Sequence, residues 1–436
     1  MSKHIVVIGG GMAGTAAAYS LRKYGYKVTV VEKDDRLGGR IKSQKIDGAA
    51  VEMGAGFMTS SYKNILAFLA ETDLGAKVYR QRGSSGVFRG GKVKMATVST
   101  LAGNGALSWR AKLRVVPLLF KTIMGWLNLD MHAPWRAERY DTKSVAEKLS
   151  GKAGQELLEY VAQPILNGYF YWTPERTSFA MLLIILKAML KGGTKRLAGG
   201  LQQMPEKATE GCDIFLNCEV LGIQKDINGG YTVPARQQNN IMQIHADGIV
   251  CATTASAVTK IIPDLSVIQK EFFDSISYSS TVVVGQVYDA GQTKGDKGLA
   301  FPRSENSNLA AITVSPEKTA NGKVLGSVKI YAATYPKQRL SDQVIIQQLL
   351  DQRTAFDSVV LARDAHAMAT CFQKWPEALP IFDHGHFHKL RLFADGKIEE
   401  PKSKLVFAGD YLGGPFMEGA FTSGMQAADR LHAQLQ

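Results

Sequence analysis

Cysteine, long apolar runs and acidic residues are scarce in this chain, and each shortage excludes something. Its four cysteines, Cys212, Cys218, Cys251 and Cys371, show no C-x-x-C or zinc spacing. They are expected as buried or incidental thiols in a reducing compartment, not as a disulfide framework or a metal site. No run of about 18 or more apolar residues is free of charge, so a membrane-spanning helix is not indicated. Met-Ser-Lys-His runs straight into a strand and leaves no room for a signal peptide, which makes the cytoplasm the expected location. Acids are outnumbered, 39 against 52 Lys and Arg, for a formal charge of +13. Such an excess calls for an anionic partner: nucleic acid, an anionic substrate or a membrane surface. With 436 residues, 45% hydrophobic and 21% charged, the chain has core enough for two or three domains.

The most informative stretch is the first. Ile5-Val6-Val7-Ile8 reads as a buried strand, followed by Gly9-Gly10-Gly11-Met12-Ala13-Gly14, an alanine-rich helix from about Ala13 to Tyr24, and a second strand, Lys27 to Val31, ending in Glu32. In this strand–turn–helix–strand context G-x-G-x-x-G predicts a dinucleotide site. Gly9 permits the tight turn, Gly11 admits a pyrophosphate to the backbone, and Gly14 allows close packing of helix on strand. The helix N-terminus offers unpaired N–H groups to phosphate. Glu32, with Lys33 beside it, is placed to accept from adenosine ribose hydroxyls.

A second cluster follows at once: Gly38-Gly39-Arg40, then Gly54-Ala55-Gly56-Phe57. Glycines let backbone approach a flat ring, and Arg40 offers a fork of donors to phosphate oxygens. This combination resembles the flavoprotein superfamily of amine oxidases, protoporphyrinogen oxidases and phytoene desaturases. The resemblance implies an α/β fold: a discontinuous Rossmann-like FAD-binding domain (1–76, 196–262 and 393–436), a helical cap (77–195) and a mixed-sheet substrate domain (263–392). It also implies non-covalent FAD, with the glycine loop around Gly54 to Gly56 lining the isoalloxazine and the backbone of Val220 facing the adenine.

Later stretches agree with the resemblance. Pro164, Gly168, Pro174, Glu175 and Ser178 follow the pattern of the protoporphyrinogen-oxidase helical domain, with Thr173 expected to cap the helix that follows. Trp375-Pro376-Glu377-Ala378-Leu379-Pro380, with Phe382 and His386 beyond, is similar to both oxidase branches. His384, His386 and His388 alternate as though on one strand face, yet no Cys, Asp or Glu cluster completes a site, and no metal is expected. Near the C-terminus Ala408-Gly409-Asp410 and Met417-Glu418-Gly419-Ala420 resemble the second half of the family's flavin site. There the aspartate accepts from the ribityl chain, and a helix N-terminus faces the pyrimidine edge.

Between residues 77 and 139, twelve Lys and Arg face only Asp130 and Glu138. Inside lies Leu107 to Leu127, apolar sequence studded with cations, flanked by Trp109 and Trp126 and broken by Pro117. It reads either as a pair of helices in a substrate cap or as a peripheral contact with the inner face of a membrane. No nucleic-acid module accompanies the charge.

As for the reaction, the resemblance implies that FAD takes two electrons from a small molecule and passes them to O2 or another acceptor. Substrate-lining candidates are Phe416, Phe382, Trp375 and Tyr169. Amine oxidases usually carry a lysine on a strand like Ser280 to Tyr288, where Val283 or Val284 stands here. The expectation is therefore desaturation of a C–C or C–N bond of a hydrophobic, cyclic substrate, protoporphyrinogen-oxidase-like. The alternatives are an amine or amino-acid oxidase, or a flavin-dependent isomerase.

Overall fold

The computed structural model describes residues 2–96, 107–190, 192–319, 322–334, 340–400 and 402–436. Strand β1 (His4–Ile8) is buried along its apolar run, as a central parallel strand must be. It feeds through the glycine turn into α1 (Met12–Lys23), whose alanines at 13, 16, 17 and 18 are all buried. β2 (Lys27–Val31) returns parallel to β1, with Ile8 opposite Val31. β3 (Asp213–Phe215), β4 (Gly248–Cys251) and β5 (Leu405–Phe407) complete an all-parallel sheet ordered β3-β2-β1-β4-β5. The strand order switches direction at β1, so a crevice opens beyond the ends of β1 and β4. Three remote segments of the chain thus build one sheet.

The stretch from Ile214 to Ile223 reads as one strand in sequence and is two in space. Asn217, at φ +51°, breaks it. β3 stays on the parallel sheet, and Cys218–Val220 pairs instead with Tyr231–Gln237 in a small antiparallel sheet.

A separate seven-stranded sheet is centred on Thr281–Tyr288, Leu309–Lys318 and Val324–Ala332. It also recruits Ser84–Arg89 and Lys92–Ala96, so the expected helical span 77–195 is strand at its start. These two strands form a hairpin over Gly90-Gly91, both at positive φ, which is the dihedral demand of a two-residue primed turn.

Four further helices matter here. α2 (Lys63–Ala70) follows the Gly54–Gly56 loop. α3 (Trp109–Met124) runs unbroken through Pro117, against the expected break. α4 (Phe179–Leu190) is apolar apart from Lys187 and is buried from Phe179 to Ile185. Its first turn is served by Ser178, whose Oγ accepts from Ala180 N–H, whereas Thr173 opens only a short 3₁₀ turn. The last helix, α5 (Met417–Leu435), packs along α1.

α1 and α5 approach so closely that a Cβ on Gly424 would lie 2.0 Å from Ala13 O. At the other end Tyr24 stacks on His432 and its hydroxyl donates to Asp429. The two helices therefore run parallel, and both N-termini face the same crevice. With Gly424 level with Ala13, α5 begins about 9 Å farther out than α1 at the usual rise per residue.

Candidate active site

The two N-terminal glycine clusters are built as one unit. Gly38 N–H donates to Gly10 O at 2.8 Å, and Gly11 bridges to Gly38. Arg36 holds the second loop from within: its guanidinium donates to the carbonyls of Leu37, Gly39 and Ile41. Gly14 has no room for a side chain, since a Cβ there would sit 1.9 Å from Gly9 O. Gly11 and Gly56 differ: a Cβ on either would meet no protein atom within 4 Å. Both glycines face open space, the kind of cradle that a pyrophosphate or a flat ring requires.

Glu32 is 7% exposed, and its two oxygens accept from Gly10 N–H at 2.6 Å and Asp34 N–H at 2.9 Å. Burial raises its pKa and these two bonds oppose the shift. Each oxygen retains a lone pair for a further donor. Lys33 beside it is exposed. Cys218 N–H donates to Glu32 O, and Leu221 N–H donates to Pro234 O on the opposite side. By strand alternation the main-chain groups of Val220 face the Glu32 side. The structure thus brings Gly9, Gly11, Met12, Ala13, Gly14, Glu32, Gly39 and Val220 to one mouth of the crevice.

The other end joins the chain termini. Arg40 donates to both oxygens of Asp410, at 2.9 and 3.0 Å, and to Ala378 O at 3.1 Å. Its guanidinium is therefore largely committed within the protein, a correction to the expectation of a free phosphate fork. Burial would lower the Arg40 pKa, but the contact with Asp410 leaves it raised. Tyr278 lies under the guanidinium at 5.7 Å. Gly54 abuts this clamp, since a Cβ there would clash with Arg40 O. Gly409 N–H is held by Ser423 Oγ.

Glu418 also departs from expectation. Its side chain is fully buried and turns away from the crevice, accepting from the N–H groups of Asn64 and Ile65 at the start of α2. Its remaining partner is His132 Nε2 at 2.8 Å, while His132 Nδ1 contacts Asp130 at 3.0 Å. Carboxylates only accept, so both ring nitrogens carry protons and His132 is an imidazolium. What Met417, Glu418 and Gly419 present to the crevice is main chain, since the first N–H groups of a helix have no intrahelical acceptor, whereas Ala420 N–H already donates to Phe416 O at 3.1 Å.

Aromatic rings line the space between the two ends. Phe57 meets Tyr169 at 6.0 Å, Tyr169 meets Phe170 at 6.4 Å, and Phe170 meets Phe416 edge-on at 5.7 Å. Trp375 donates to Met53 O and touches the Gly54 position. Phe382, a lining candidate, is fully buried among Trp172, His386 and Phe387 and has no surface to offer a substrate. The three histidines are scattered: His386 is buried against Tyr411 O with its pKa lowered to about 4 by burial, and His388 pairs with Glu138. A helix, His386–Ala394, stands where the alternation suggested a strand.

Sequence reasoning missed Arg36, His132 and a buried charge cluster behind Gly56. There Arg196 Nη1 pairs with Glu317 at 2.8 Å, Lys329 Nζ lies 3.7 Å from the same carboxylate, and Glu52 shares a cavity of about 10 Å³ with Gly56. Lys329 stands opposite Gly285, one strand away from the expected lysine position. Only strand pairing could have found it.

A crevice at the sheet switch point, floored by open glycines and capped by two parallel helix N-termini, defines an FAD-dependent oxidoreductase. The profile of the flavin containing amine oxidoreductases matches residues 12–432, and the chain belongs to that family. It is 22% identical to protoporphyrinogen oxidase 2, chloroplastic/mitochondrial, of Arabidopsis thaliana, over 100% of this chain and 94% of that one. It is 24% identical to an L-amino-acid oxidase of Siganus canaliculatus, over 99% and 86%. Among solved structures, cyclohexylamine oxidase from Brevibacterium oxydans superposes with a TM-score of 0.76 at 19% identity, over all of both chains.

Proposed function

We propose that the protein desaturates a C–C or C–N bond of a hydrophobic, cyclic small molecule, in the manner of a protoporphyrinogen oxidase, with O2 as the final electron acceptor. The observation that carries this reading is the run of rings Phe57–Tyr169–Phe170–Phe416 between the Gly54–Gly56 loop and the start of α5. Such a wall binds a large apolar substrate by burial and ring contact, and it offers no fixed charge to recruit an ammonium or carboxylate.

Bound FAD supplies the two-electron acceptor. Gly9, Gly11, Met12, Ala13 and Gly14 would hold its pyrophosphate, Glu32 its ribose, and Val220 its adenine edge. Gly54, Ala55, Gly56 and Phe57 would pack on the ring, and the N–H groups of Met417, Glu418 and Gly419 would face its pyrimidine edge. Asp410, fixed by Arg40, keeps acceptor capacity toward the ribityl chain. Val283, buried against Val51 and Met53, gives no proton donor or acceptor where amine oxidases usually carry lysine.

The second reading, an amine or amino-acid oxidase yielding an imine and hydrogen peroxide, is favoured by the buried Lys329 on the adjacent strand. Membership of an oxidoreductase family favours net oxidation over the isomerase alternative. Anaerobic mixing separates the readings. Reduced tetrapyrroles or other large, apolar cyclic compounds should bleach the flavin while simple amines and amino acids do not, and the reverse pattern overturns the proposal. Among the described residues no helix is long and apolar enough to cross a membrane, and we read the enzyme as cytoplasmic, with a peripheral membrane contact.

A further inference from the structure

α3 is apolar on two opposite faces. Ala111, Val115, Leu118 and Thr122 turn inward, and Ala111 and Thr122 are fully buried. On the far side Trp109, Leu113, Val116, Phe120, Ile123 and, just beyond the helix, Leu127 are 59–83% exposed. Their spacing of three and four residues places them within an arc of about 100°, a continuous stripe along the helix. Met189 and Leu190 at the end of α4 are also exposed, and α4 is tied to the end of α3 by Lys187 Nζ donating to Trp126 O. A stripe of this size on a globular protein marks a contact surface.

The charge along it selects the occupant. From Trp109 to Leu127 there is no acid, and four cations, Arg110, Lys112, Arg114 and Lys121, flank the stripe. At 100° per residue Arg110, Arg114 and Lys121 fall on one flank and Lys112 on the other. A second copy of the helix laid against this one would bring cation to cation with no acid on either helix between them, which disfavours self-association. An anionic lipid surface satisfies both features at once. The rings and aliphatic groups sink about 5–10 Å to the acyl boundary, and the flanking cations remain among the phosphates.

We infer that α3 is an interfacial membrane anchor: it lies flat on an anionic bilayer, with the stripe from Trp109 to Leu127 immersed. This specifies the surface behind the peripheral contact proposed above. The contact is independent of the redox chemistry, because no residue of the stripe belongs to the flavin crevice.

The test is flotation of the FAD-loaded protein with vesicles of equimolar phosphatidylcholine and phosphatidylglycerol, with pure phosphatidylcholine as the control. Wild type should float with the anionic vesicles, less so as salt rises, and hardly with the neutral ones. Leu113→Ser with Phe120→Ser should weaken binding at least about tenfold, since two large apolar groups no longer leave water. Arg110→Glu with Arg114→Glu should abolish the preference for anionic lipid. Both pairs are exposed, and an unchanged flavin spectrum with wild-type melting reports that each variant is folded. Wild-type protein that stays at the bottom of the gradient, or a serine variant that floats as well as wild type, overturns the assignment. So does a wild-type dimer in sedimentation velocity that the serine pair converts to monomer without any lipid binding. Substrate turnover plays no part in these readouts, so failure of the redox reading would leave the result intact.

Discussion

Arg40 and Asp410, 370 residues apart in the chain, face each other through two parallel N–H···O contacts of 2.9 and 3.0 Å. The pair ties the N-terminal stretch of the chain to its C-terminal stretch. Asp410 is 7% exposed and Arg40 30%, so the pair is shielded on one side only. Asp410→Asn keeps the shape and leaves the guanidinium without its counter-charge. We expect a loss of about 2–3 kcal/mol, under the range for fully buried pairs. Arg40→Lys keeps the charge and loses the fork, and should cost FAD retention as well. Urea unfolding followed by flavin fluorescence checks both, and an unchanged midpoint for Asp410→Asn would show the pair to be incidental.

Two glycines should fail in different ways. Gly424→Ala puts a methyl group 2.0 Å from Ala13 O and must push α1 and α5 apart. A loss of about 3 kcal/mol or more, seen as a lower melting temperature with or without added FAD, is the expected outcome. Gly11→Ala meets no protein atom within 4 Å. Its apoprotein should melt like wild type, while FAD occupancy after purification falls sharply. Equal occupancy in Gly11→Ala and wild type would remove the pyrophosphate from this loop.

His132 gives the fold a pH limit. Burial alone would lower its pKa, but its bonds to Asp130 and Glu418 raise it from 6.5 to about 9. The His132 bond in turn holds Asp130 well below the usual carboxylate range. Because the folded pKa lies above the unfolded one, the stabilisation is complete below pH 6.5 and is lost as pH rises through 9. Melting temperature should fall across that window in wild type and stay flatter in His132→Gln. Parallel curves would mean that the imidazolium contributes nothing.

Glu52 sits behind the Gly54–Gly56 loop, accepting from Leu201 N–H and the Ser43 hydroxyl. Burial raises its pKa from 4.5 to about 7, against the pull of those two bonds. The folded protein therefore holds this proton more tightly than the unfolded chain. Its contribution is present below pH 4.5 and disappears as pH rises through 7. Glu52→Gln, neutral throughout, should show a smaller change in melting temperature between those limits. The same slope in both proteins would place the titration elsewhere.

The parts of the site readable from sequence are those written in contiguous residues. Gly9, Gly11 and Gly14 announce their backbone geometry locally, and the family resemblance extended them to Gly54, Gly409 and the start of α5. The hairpin over Gly90-Gly91 is equally local, yet it falls inside the span for which the resemblance implies a helical cap. Pro117 misled in the other direction, because neighbouring packing on Ala111, Leu118 and Thr122 outweighs one missing N–H in α3. Glu418 and Phe382 went astray for a single reason: the sequence fixes where a residue stands along the chain, and only packing decides which way it turns.

By itself the sequence determined an adenine-dinucleotide site at the N-terminus and a basic, apolar segment from Leu107 to Leu127. Both follow from short-range rules, since glycine dihedrals and helical periodicity are set by near neighbours. The tertiary structure alone decided that Arg40 clasps Asp410, that His132 is protonated between two carboxylates, and that one apolar face of α3 is left uncovered by the rest of the protein while its opposite face is packed. These depend on groups brought together across hundreds of residues, where burial, and not order in the chain, sets the energy of each charge and each exposed ring.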